Sequence, residues 1–183
     1  MQEQFSVVDL DEQTILSVAL LMSRLKPEWW QVDTAREQLQ KVTGWVLLGA
    51  DELPIGWMTY QTLPLYNTIE IETIGYDQHG KFIVGEMLTP LLEECINFAA
   101  KNNISNIRFI IGSRGLSCHG QTILKPWETL KNIEAINRPE FDWLISMGFS
   151  PHGILPNIYG KRYHGIMLIK TSGLNGKSND SYS

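Results

Sequence analysis

Residues 68–100 hold the pattern in this sequence best suited to chemistry. Glu70 and Glu72 alternate with Ile69 and Ile71, so a strand over Thr68–Tyr76 presents both carboxylates on one face together with Ile74. Two such acids are either a titratable pair or the solvated side of a half-covered sheet. The strand ends at Asp77-Gln78-His79-Gly80. From Ile83 to about Lys101 the residues Met87, Leu88, Leu91, Leu92, Cys95, Ile96, Phe98 and Ala99 then recur at helical spacing. A Gly-containing turn that opens a helix aims unpaired backbone N–H groups at an anion, for which pyrophosphate is a natural occupant. An ordinary strand-to-helix connection has the same pattern, and the spacing leaves both readings open.

The remaining reactive side chains are scattered. Cys95 falls on the helical apolar pattern. Cys118 lies in a polar loop beside His119 with no third residue to orient a base, so two reduced thiols are expected rather than a disulfide or a nucleophile. His119, His152 and His164 lack ligand spacing and are read as surface or hydrogen-bonding residues, with no metal expected.

The elements that position these residues follow from periodicity and punctuation. Phe5–Leu10 alternates and reads as a strand, and Asp9-Leu10-Asp11-Glu12 caps an amphipathic helix over 13–25. After Pro27 and Trp29-Trp30, Asp33-Thr34 opens a second helix through Lys41. Trp45–Gly49 and Ile55–Leu63 are strands joined by a turn at residues 50–54. Beyond the Asn102-Asn103 stop, Ile107–Ile111 is a short apolar run of the kind buried on both faces. Residues 112–136, with Gly112, Gly115, Gly120 and Pro126, fit no clean element and read as an insertion loop with a short helix around Trp127–Ile133. A helix over Pro139–Met147 closed by Gly148, a strand at Ser150–Leu155 and a last strand at Tyr163–Lys170 complete the series. This is an α/β order: a mixed, mostly antiparallel central sheet of six to seven strands with helices on both faces.

With 183 residues, 43% hydrophobic and 19% charged, the chain suits one domain, placed at 1–170 and followed by a polar, disordered tail at 171–183. A net charge of −5, with no basic run longer than Lys161-Arg162, gives no footprint for nucleic acid or an anionic membrane. The N-terminus has no secretion-signal pattern and no window is long and apolar enough to span a bilayer, so the cytoplasm is the expected location.

In register, Ile74-Gly75-Tyr76-Asp77-Gln78-His79-Gly80-Lys81-Phe82-Ile83-Val84 resembles a segment of the GNAT superfamily of N-acetyltransferases. There a strand feeds a loop of the form Arg/Gln-x-x-Gly-x-Gly/Ala and then a helix. Asn137, where the family has an Asn opening the helix before a Gly-Phe pair, here Gly148-Phe149, extends the likeness, as does Gly160-Lys161-Arg162-Tyr163 before the final strand. His79 stands at the Arg/Gln position, Phe82 and Val84 replace motif glycine or alanine, and Leu144 stands where the family often places a general-acid Tyr. A shifted register using Gly80 and Gly85 restores small residues to the loop.

The resemblance implies a GNAT-like fold and acetyl-CoA as co-substrate, cradled by Ile74, Gly75, Tyr76, His79, Gly80, Lys81, Phe82, Ile83, Val84 and Gly85, with Asn137 alongside. It implies direct attack of an amine on a thioester, which needs a base, carbonyl polarisation and a proton for the thiolate. Glu72 or Glu70 is the implied base, the backbone N–H of Tyr76 or Ile74 the polarising donor, and Tyr163 or Tyr159 the replacement acid. The acceptor is a small-molecule or peptide amine. Trp29-Trp30 either walls its pocket or anchors the helix pair, and 112–136 is either a lid or a homodimer contact. A rival reading keeps the fold and the acyl-CoA but loses transfer, giving a binding or regulatory module. A third makes the chain an unrelated α/β binding domain.

Overall fold

The computed structural model describes residues 5–78 and 83–172. Seven strands form one sheet in the order β1-β2-β3-β4-β5-β7-β6. They are β1 (Ser6–Asp9), β2 (Thr43–Leu48), β3 (Pro54–Leu63), β4 (Thr68–Tyr76), β5 (Asn106–Gly112), β6 (Ser150–Leu155) and β7 (Gly165–Thr171). The helices are α1 (Glu12–Leu25), α2 (Val32–Leu39), α3 (Val84–Lys101), α4 (Pro126–Lys131) and α5 (Pro139–Ser146). A 3-10 turn at Pro64–Tyr66, absent from the sequence reading, joins β3 to β4 through Asn67 in the left-handed conformation. The sheet is thus mixed and seven-stranded, as the order of apolar runs predicts.

The chain gathers into two compact units, residues 1–62 with 71–98, and residues 63–70 with 99–183. In the first unit β1 pairs antiparallel with β2, and β2 with β3. Asp11 caps α1: its carboxylate accepts from the backbone of Gln13 at 3.0 Å and Thr14 at 3.1 Å, while Thr14 Oγ1 accepts from the Asp11 N–H at 3.0 Å. Ile15, Val18, Ala19, Leu21 and Met22 then face inward at helical spacing, against Ala35 and Leu39 of α2 and Val46 and Trp57 of the strands. Each Ile, Val, Leu or Met side chain among them contributes about 1.5–3 kcal/mol when fully buried. Trp30 packs on this cluster while Trp29 is exposed, so the pair anchors the helices through one ring.

Helix α3 buries Met87, Leu88, Leu91, Leu92, Cys95 and Ala99. It carries Pro90 in its interior and ends where Asn103 turns left-handed at φ 55°, the stop expected from Asn102-Asn103.

In the second unit β5 and β6 both pair antiparallel with β7. Ile107, Phe109 and Ile111 are buried, whereas Arg108, Ile110 and Gly112 are only half-buried. That alternation corrects the reading of β5 as buried on both faces. β7 runs past Lys170: Thr171 pairs with Asn106, and Ser172 is buried with its backbone N–H on Ser105 O at 2.8 Å. The expected tail therefore begins too early at 171, and residues 173–183 lie outside those described. Inside 113–136, Leu116 bridges Ala135, and Ser117 N–H bonds Glu134 O at 2.9 Å, folding the insertion back on itself.

Candidate active site

Within the first unit, β4 places Glu72 half-buried, with Oε2 shielded from solvent, next to the buried Ile71. Ile74, Gly75 and Tyr76 follow, half-buried. Gly75 has a packing reason for its identity: a Cβ there would stand 2.2 Å from Cη2 of Trp57. That indole donates from Nε1 to Thr73 Oγ1 at 3.2 Å. At the strand end the Asp77 N–H bonds Ile55 O at 2.7 Å, and the Asp77 carboxylate pairs with Arg24 at 2.6 Å. His79, Gly80, Lys81 and Phe82 lie outside the described residues.

Ile83 is exposed, and Val84 and Gly85 begin α3 half-buried. Here Glu86, in the first helical turn, turns back so that Oε2 accepts the Ile83 N–H at 3.3 Å. A carboxylate at that end is favoured by the helix dipole and occupies a donor an incoming anion would use.

Within the second unit, Glu70 forms an ion pair with Arg108 of β5, the two side chains 16% and 28% exposed, and Arg108 Nε is buried without a hydrogen-bond partner. Farther along the same face of β5, the phenol of Tyr163 covers Gly112, where a Cβ would lie 2.5 Å from its hydroxyl oxygen. Tyr163 is the centre of a cluster. Tyr159 lies 5.2 Å away ring to ring, His119 meets it edge-on at 5.4 Å, and the Arg114 guanidinium stands 5.6 Å over its face. Arg138 donates from Nη1 to the carbonyls of Gly112 and, at 3.0 Å, Arg114.

Burial, reinforced by Tyr163, pushes the Tyr159 phenol above its ordinary value, although Arg138 pulls the other way. Burial likewise lowers Arg138 from the usual guanidinium value, with Glu140 opposing. The β6–β7 connection holds this cluster through His164, which is 1% exposed. His164 Nδ1 accepts the Asn157 N–H at 3.1 Å, so the ring proton sits on Nε2 and is donated to Gln121 O at 3.0 Å.

Several sequence assignments shift. Asn137 does not open α5: Arg138 is the N-cap with Pro139 at the first helical position, and the Asn137 N–H instead bonds Gly115 O at 3.1 Å. Strand β7 begins at Gly165, leaving Tyr163 in the turn before it. Cys118 is not in an open polar loop but 1% exposed, with burial raising its thiol, and Cys95 is pushed up to about 12 by burial. Leu144 is a core residue, 1% exposed. Arg108, Arg114 and Arg138 escaped the sequence reading, although Gly112-Ser113-Arg114-Gly115 and Arg138-Pro139 mark turns that display a side chain. Among the described residues no three His, Cys, Asp or Glu side chains are grouped to hold a metal, and no helix is long and apolar enough to cross a membrane.

No protein-family model and no curated protein matches the sequence. The fold has many likenesses among solved structures. An aminoglycoside 6'-N-acetyltransferase complexed with coenzyme A superposes with a TM-score of 0.80 at 15% identity, covering 91% of this chain and 97% of the other. An aminoglycoside 6'-N-acetyltransferase from Enterococcus faecium gives the same values. The ribosomal-protein-S18-alanine N-acetyltransferase from Escherichia coli has a TM-score of 0.65 at 15% identity over 96% of this chain and 98% of its own. At these identities the likeness establishes the GNAT acyltransferase fold.

Proposed function

We propose, from a chain with the GNAT fold as premise, that this protein moves an acetyl group from acetyl-CoA to the primary amine of a small molecule or peptide, acting in the cytoplasm. The observation that carries the reading is the fold match, over nearly the whole of both chains, to an acetyltransferase complexed with coenzyme A. The strand–turn–helix of β4 and α3 supports it, because a helix N-terminus behind a strand end is suited to pyrophosphate. Ile74, Gly75, Tyr76 and 79–85 would form the cradle.

The reaction is attack of a neutral amine on the thioester carbonyl and expulsion of the thiolate. Glu72 or Glu70 takes the proton from the amine, Glu70 from within its ion pair with Arg108. The backbone N–H of Ile74 or Tyr76 polarises the carbonyl. Tyr159 or Tyr163 returns a proton to the thiolate. Burial pushes the Tyr159 phenol above its ordinary value, so it holds a proton to give. Calorimetric titration with acetyl-CoA, followed by thiol release over a panel of amines, tests the proposal. Turnover in Glu72→Gln should fall about 100-fold or more, the range for a positioned base, and unchanged turnover would remove Glu72 from the mechanism.

A second reading, an acyl-CoA-binding or regulatory module without transfer, is favoured by one arrangement. The Glu86 carboxylate already caps the first turn of α3, and the usual tyrosine is replaced by the core residue Leu144. Heat on titration with acetyl-CoA but no thiol from any amine would select it.

A further inference from the structure

We infer that the end of β5, the start of α5 and the β6–β7 connection together form an oxyanion subsite, and that the acceptor amine also carries a carboxylate or phosphate. Its substrate role rests on the transferase reading; its geometry does not.

Arg114 is exposed over the Tyr163 ring, and Arg138 is half-buried, with Nη1 fixed by the backbone carbonyls of Gly112 and Arg114. Neither takes part in an ion pair among the described residues. Arg138 Nη2 and Nε therefore remain as donors on a guanidinium whose plane is held in place. Fixed planar guanidinium groups match carboxylate and phosphate oxygens in pairs, and rigid placement lowers the entropy lost when they bind. The Tyr159 and Tyr163 hydroxyls, 46% exposed and half-buried respectively, supply neutral donors at the rim.

On the same face of β5, four residues before Gly112, Arg108 adds a third guanidinium, with its Nε buried and unpartnered. Its charge is offset by Glu70, and Glu140 acts on Arg138, so three arginines face two carboxylates. This surplus is local, because the chain as a whole is acidic at −5. A polycationic acceptor would meet Arg114 and Arg138 as like charges, whereas a zwitterionic amine would present its anion to them.

Calorimetry with matched probes tests the subsite: L-amino acids against their C-terminal amides, O-phosphoethanolamine against ethanolamine, and a polycationic aminosugar. Each is run with and without coenzyme A. The anionic member of at least one pair should bind about tenfold or more tighter than its neutral partner, as hydrogen bonds to charged groups imply. The responding pair then distinguishes carboxylate from phosphate. Arg114→Gln, an exposed and structurally mild change, should erase that preference, and Arg138→Lys, which keeps charge without the fork, should weaken it.

Equal binding of both members of every pair, tighter binding of the aminosugar, or no anionic binder below about 10 mM would overturn the subsite. Charge-selective binding without thiol release would leave the subsite standing and bring down the transferase reading. Thiol release that ignores the anion would do the reverse.

Discussion

Gly75 in β4 and Gly112 at the end of β5 each lie under an aromatic ring that fills the space of a Cβ, yet the two rings are held very differently. Trp57, over Gly75, is 5% exposed, and its Nε1 donates to Thr73 Oγ1, which lies 2.8 Å from Thr59 Oγ1. Its ring has nowhere to go. Tyr163, over Gly112, fills that space with the edge of its phenol and is only half-buried, in a connection where residues 156–162 are exposed and the neighbouring His164 is buried. The first pairing is a packing joint of the core. The second sets the position of a ring among Arg114, Tyr159 and His119, where a small displacement alters what the surface can bind.

Substitutions at these positions test the contrast. Gly75→Ala should cost about 3 kcal/mol in urea unfolding, the upper range for overpacking, because the clash falls on a locked indole. A loss below about 1 kcal/mol would show that Trp57 yields as Tyr163 does, and the contrast would fail. Trp57→Phe keeps most of the buried area but drops the Nε1 donor, for an expected loss of about 1–2 kcal/mol in the same measurement.

Gly112→Ala should cost about 1 kcal/mol or less, since the phenol swings toward solvent, while it changes acceptor discrimination in the thiol-release assay. If stability falls as far as for Gly75→Ala, Tyr163 is a core residue after all. Arg114→Gln should stay within about 0.5 kcal/mol of the parent, as expected for an exposed side chain, with its effect confined to binding.

The split between local and long-range information explains what the sequence reveals. Element order was legible because it rests on near neighbours: the Asp11 cap, the apolar stripe of α3, the Asn103 stop and the Gly148 turn each declare themselves within a few residues. The site was legible only in part. Glu70 and Glu72 follow from strand alternation, but the partner that ties up Glu70 is 38 residues away in β5. Arg138 reaches Gly112 across 26 residues, and no periodicity encodes that contact. The glycines illustrate the same limit: Gly75 falls inside the resemblance to a cofactor loop, yet its missing Cβ answers to Trp57, 18 residues earlier by number. Family register puts Asn137 at the start of α5, whereas the fixed φ of Pro139 suits the first helical position and makes Arg138 the cap.

Pro90 in α3 bears on how the molecule breathes. Lacking an N–H, it cannot bond the Glu86 carbonyl one turn before it, so the residues up to Thr89 are joined to the rest of the helix by one backbone bond fewer. Fraying of residues 83–86, which frees the amides of 87–89, then needs only the Ile83–Glu86 cap and a few amide bonds to break, while Met87, Leu88, Leu91 and Leu92 stay buried. In deuterium exchange, amides 87–89 should exchange well ahead of 91–99. The carboxylate at the helix tip would thus withdraw on the timescale of local fluctuation, without waiting for the fold as a whole to open.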